Sequence, residues 1–110
     1  MLIKKGYNVN TQDDEHSIAV VAFTSREAKK LGFTKLDCDW VDVRVRQAKN
    51  ADVEDIPIGI INDNILAWRR GIFDWIDNYD ETTCDECHND IALERIGRKI
   101  LCEKCYEKAQ

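Results

Sequence analysis

Cys84, Cys87, Cys102 and Cys105 form two Cys-x-x-Cys pairs separated by fourteen residues. Two intervening residues let both sulfurs of a pair face one ion, and four thiolates meet the tetrahedral preference of Zn²⁺ with bonds of about 2.3 Å. Between the pairs, Ile91, Leu93 and Ile96 lead out, Gly97 supplies a turn, and Ile100 and Leu101 lead back, which reads as a small hairpin with an apolar face. The second pair opens a stretch, Glu103 to Ala109, of helix-forming composition. The pattern predicts a structural Zn²⁺ held by Cys84, Cys87, Cys102 and Cys105. Four sulfurs complete the coordination and leave no position for a reactive water.

Other chemistries for these cysteines are weaker. Iron or an iron–sulfur cluster is the alternative occupant of the same four thiolates. Cys84-Asp-Glu-Cys87-His88 also spells the attachment motif of c-type haem, but that leaves the second pair unexplained, and the only methionine is Met1. His88 reads instead as a solvent-facing residue of the first knuckle. A thioredoxin-like redox pair is contradicted by the presence of the other pair. Cys38 lies between Asp37 and Asp39, whose charges disfavour a thiolate, so it reads as inert; His16 reads as surface.

Knuckle, hairpin, then knuckle at the start of a helix is the order of a treble-clef finger. The two pairs together with Ile91, Arg95 and Leu101 resemble the zinc finger of the DksA/TraR family of RNA-polymerase-binding regulators, and LIM-type fingers look similar. The resemblance covers about the last quarter of the chain and implies that the four cysteines are zinc ligands. A fainter likeness links residues 18–50, with Ala-Phe-Thr-Ser-Arg-Glu-Ala-Lys-Lys-Leu-Gly-Phe and then Trp-Val-Asp-Val-Arg-Val-Arg, to small proteins encoded by bacteriophages and prophages.

Charge bears on the partner. From Cys84 to Gln110 there are five Lys/Arg against six acids, and a zinc tetrathiolate adds two further negative charges, so the finger is a poor phosphate binder by itself. Trp40, Arg44 and Arg46 form the best local basic and aromatic patch and are the candidate partner-binding residues. A protein partner is the first expectation, with a regulatory or inhibitory role in host machinery if the chain is phage-encoded. Nucleic acid is the second, through a transcription-related zinc finger. A metal-dependent phosphodiester enzyme using Asp13, Asp14, Glu15, Asp52, Glu54 and Asp55 is the third, although such carboxylates read first as solvated loops. No nucleophile–base arrangement is visible, so no catalytic residue is assigned.

These groups need elements to hold them. Residues 2–9 read as a strand, and Ser17 to Phe23, apolar nearly throughout, as a central strand buried on both faces. Thr24-Ser25-Arg26-Glu27 has the form of a capping box, opening a short helix that Gly32 ends. Trp40 to Arg46 alternates, placing Val41, Val43 and Val45 on one face and Trp40, Asp42, Arg44 and Arg46 on the other. Pro57 demotes Ile56 to Ile60 to an edge or a connection. Ile61, Ile65, Trp68, Ile72, Trp75, Ile76 and Tyr79 recur at helical spacing, predicting an amphipathic helix of about four turns near 62–78, capped by Asn62 or Asp63. Within it Gly71 marks a close backbone contact. The stripe is either core or a dimer interface.

The fold class expected is therefore α+β: a small mixed sheet with a packed amphipathic helix in residues 1–80, and a four-cysteine treble-clef or zinc-ribbon module in residues 81–110. The whole chain of 110 residues, 44% apolar and 34% charged with a net charge of -5, suits one modest core. No apolar run approaches the roughly 20 residues that span a bilayer, and no signal-peptide pattern is visible, so a cytoplasmic location without membrane association is expected. In such a reducing compartment crowded cysteines point to metal before disulfides.

Overall fold

A computed structural model describes residues 3–11, 17–36, 39–74, 76 and 79–109. Cys38, His16, Trp75 and the acidic residues Asp13, Asp14 and Glu15 lie outside them. Strands β1 (Lys5–Asn10), β2 (Ser17–Ala22), β3 (Arg44–Ala48) and β4 (Gly59–Ile61) form one sheet in the order β3-β1-β2-β4. The α+β class is as expected, and where a mixed sheet was anticipated all three pairings are antiparallel.

β2 is apolar without alternation because both of its faces are covered. Val20 and Ala22 enter a core with Tyr7, Val9, Ala28, Leu36 and Val43, whereas Ala19 and Val21 enter a second core on the opposite face. Successive strand residues point to opposite faces, so a strand inserted between two cores must be apolar at every position.

The first core is closed by α1 (Ser25–Phe33). Thr24 caps it by accepting from the Glu27 N–H at 3.2 Å, and the Glu27 carboxylate accepts from the Phe23 N–H at 2.9 Å, one residue further back than a capping box usually reaches. Gly32 does not end this helix. It is buried within it, and a Cβ there would stand 2.5 Å from Val9 Cγ1, so glycine is what lets the helix lie against β1. The helix stops at Thr34, whose hydroxyl donates to the Leu31 carbonyl at 2.7 Å.

The strand expected over 40–46 begins later. Trp40–Asp42 is a 3-10 turn, and Trp40 packs on α1, edge-on to Phe33 at 5.3 Å and beneath the Lys29 ammonium at 4.4 Å. Val41 is 84% exposed, while Val43 and Val45 face the first core. β4, at the other edge of the sheet, follows Pro57 as a short strand.

The four-turn helix is likewise shorter than its pattern. α2 covers Asn64–Arg69, with Asp63 Oδ1 accepting from the N–H groups of Ile65 and Leu66 at 3.0 and 3.2 Å. Gly71 has φ 85°, a left-handed conformation that ends the helix and turns the Ile72 N–H back to the Ala67 carbonyl at 2.9 Å. The close backbone contact expected there exists: a Cβ on Gly71 would stand 3.4 Å from the Asn50 carbonyl oxygen. The apolar stripe serves packing all the same. Trp68, Ile72, Phe73 and Ile76 are buried in the second core with Ile61 and Val53, so the stripe is core within this chain. Ala92 and Ile100, from beyond residue 80, belong to the same core.

Candidate metal centre

The four cysteines sit on three short pieces of chain. The first knuckle, Cys84 to Cys87, is closed by the His88 N–H donating to the Cys84 carbonyl at 3.1 Å, and the Cys84 N–H donates to the Asp90 carbonyl at 2.8 Å. His88 is exposed and adopts φ 59°, the reversal that brings the chain out of the knuckle. Next comes a hairpin of β5 (Glu94–Ile96) and β6 (Lys99–Leu101), with Gly97 at φ 60° in its two-residue turn, as expected. Cys102 follows β6 directly, and Cys105 lies in the first turn of α3 (Glu103–Ala109).

The apolar face of the hairpin differs from the expected one. Ile91, Leu93 and Ile96 are exposed, and burial falls to Ala92, Ile100 and Leu101. The two residues on β6 divide the work. Ile100 enters the second core, while Leu101 packs against Cys84 and Cys102, with Cys87, Cys105 and Tyr106 alongside.

This arrangement brings the four sulfurs within 4.8 Å of one another, and Cys87 Sγ lies 3.8 Å from Cys102 Sγ. A tetrahedron of thiolates about 2.3 Å from a central ion has edges of about 3.8 Å, so the sulfurs are placed to bind one metal ion. Their acidities differ. Burial opposes the Cys84 thiolate, but the N–H groups of Cys87, Cys102 and Glu86 directed at its sulfur prevail and lower its pKa to about 6. Cys105, hydrogen-bonded by the sulfurs of Cys102 and Cys84, is pushed up to about 12.

A clamp that the spacing did not reveal anchors the knuckle. Asp85 Oδ2 accepts from Arg69 Nη1 of α2 at 2.6 Å and from the Ile100 N–H at 2.9 Å, and the Asp85 N–H donates to the Ile100 carbonyl at 2.9 Å. Lys99 pairs with Glu86 at 2.7 Å on the solvent side. Buried Thr82 accepts from the Ala92 N–H at 3.1 Å and donates to the Tyr79 carbonyl at 2.6 Å.

The other predicted residues are dispersed. Trp40 lies on the α1 side of the sheet, whereas Arg44 and Arg46, opposite Asn10 and Asn8 in the register, point to the other side. The three do not form one patch. Of the loop carboxylates, Asp55 pairs with Arg70 through two bonds of 2.6 and 3.0 Å, and Asp52 pairs with Arg98. No helix among the described residues is long and apolar enough to cross a membrane.

Fold and site define a class: a small α+β chain with a four-cysteine, zinc-finger-like metal centre. Comparison with protein-family models, curated proteins and solved structures finds no match.

Proposed function

We propose that the metal is zinc in a structural role, and that the protein is a non-catalytic regulator or inhibitor that docks on a larger protein or nucleoprotein assembly. A bacteriophage origin, acting on a bacterial host, accords with the likeness of residues 18–50. The supporting observation is the surface of the metal hairpin: Ile91, Leu93 and Ile96 are 45%, 49% and 41% exposed around a centre whose own packing uses other residues. Apolar side chains left exposed along a hairpin favour a protein partner. The nucleic-acid reading draws on Arg44 and Arg46, both exposed and without an ion pair among the described residues.

The test uses the zinc-loaded full chain as bait in a cell lysate. A specific protein should be recovered, and the triple variant Ile91→Ser, Leu93→Ser, Ile96→Ser should lose it while retaining the metal. Salt-sensitive retention on DNA or RNA without a protein partner would move the assignment to nucleic acid. Native mass spectrometry should give one zinc per chain with four protons displaced; an iron mass and visible colour would overturn the zinc assignment.

A further inference from the structure

Arg46, Lys49 and Arg95 border one cleft of about 230 Å³ between the β3 edge of the sheet, the turn after α2 and the metal hairpin. Arg46 stands opposite Asn8 in the β1–β3 register, so both side chains lie on the same face. Arg95 is held from β5: its Nη1 donates to the Gly97 carbonyl at 2.6 Å, and its Nη2 lies 3.3 Å from where a Cβ on Gly71 would stand. The side-chain-free Gly71 leaves that guanidinium open to the cleft.

The charge around the cleft points to a ligand. Arg69, Arg70, Arg98 and Lys99 all have carboxylate partners, whereas Arg46, Lys49 and Arg95 have none among the described residues and converge here, with Asp74 the only acid in the lining. Converging like charges are stabilised by an anion. Asn8 also lines the cleft, on the Arg46 side. We propose that the cleft binds a small phosphorylated ligand of sugar-phosphate size, its phosphate held by Arg46, Lys49 and Arg95. The volume is below the roughly 300–1,000 Å³ typical of sites for larger organic ligands. The chain's net charge of -5 disfavours a long polyanion.

Ribose 5-phosphate titrated calorimetrically into the zinc-loaded full chain tests this. One saturable site is expected, weakened at least about tenfold by Arg46→Ala with Lys49→Ala, each an exposed residue outside both cores, since each charge-assisted bond lost has about that effect. Arg44→Ala, on the same strand but outside the cleft, should leave binding within about twofold. Asn8→Asp should weaken it, because a carboxylate opposite Arg46 in the register competes with the phosphate for that guanidinium. Absence of saturable binding, or equal loss in Arg44→Ala, overturns the proposal. So does binding of a single-stranded oligonucleotide that strengthens with length and is not displaced by ribose 5-phosphate, which assigns the cleft to nucleic acid.

Discussion

Asp85, one residue into the first metal knuckle, is gripped by Arg69, the last residue of α2, at 2.6 Å. The contact joins the metal centre to the helix that covers the second core, and the same carboxylate also receives the Ile100 N–H. Both side chains are about 30% exposed, so the pair is neither fully screened nor fully buried.

Asp85→Asn should therefore lower stability by about 1–2 kcal/mol in chemical denaturation, because it removes a charged acceptor from two donors at once. Metal affinity should fall about 10- to 100-fold, as when groups that orient ligands are removed elsewhere. Competition with a chromophoric chelator measures the second effect. Unchanged affinity would reduce Asp85 to a packing contact.

The pH dependence has a definite sign. The Asp55 carboxyl is held at about 2, chiefly by its hydrogen bonds to Arg70, against an ordinary value of 3.8. A carboxyl whose folded pKa is depressed contributes stability that is present above the unfolded value and lost as pH falls through the folded one, here between about 4 and 2. Carbon-detected NMR titration should find the Asp55 midpoint near 2, and Arg70→Gln should return it toward the ordinary value. Asp85 is also depressed: burial opposes this, but Arg69 and the Ile100 N–H outweigh it. Its contribution has the same sign.

Metal removal, or Cys102→Ala, should unfold residues 84–105, because an ion held by the four cysteines would substitute for a core too small to form alone. From sequence alone the effect would end there, with residues 1–80 left folded. The shared core extends it. Ile100 and Ala92 pack with Trp68 and Ile72, so hydrogen exchange at those amides should accelerate, while amides of Val9 and Val20 in the first core stay protected. Unaltered exchange at Trp68 would show that the two parts fold independently.

Two glycines should respond differently to alanine. Gly32→Ala drives a methyl to 2.5 Å from Val9 Cγ1 and should cost about 1–3 kcal/mol through overpacking. Gly97→Ala meets open space, and its cost of about 1 kcal/mol arises only from the φ of 60°. Thermal melts of the two variants would rank them, and the reverse order would refute the contact.

The metal centre was legible in the sequence because its information is local: covalent spacing decides which sulfurs can face one ion. The Thr24 cap, a cap at Asn62 or Asp63 and the Gly97 turn were legible for the same reason, each involving groups a few residues apart, and the structure gives the second cap to Asp63. Periodicity grouped Trp68, Ile72 and Ile76 on one apolar stripe, but it could not say whether that stripe is core or interface, nor where α2 stops, since apolar spacing continues past a glycine whose backbone reverses. Trp40 was assigned to the face of Arg44 by alternation, and only the packing of Lys29 and Phe33 on its ring shows that it belongs with α1. Gly32 looked like a helix end until β1 was laid against it. By itself the sequence determined which four cysteines could gather at one ion and the α+β class. Tertiary structure decided that the metal hairpin shares a core with the sheet, and that Arg46, Lys49 and Arg95 meet at one cleft. Those relationships join residues tens of positions apart, and they arise from burying apolar surface, which acts without regard to chain distance.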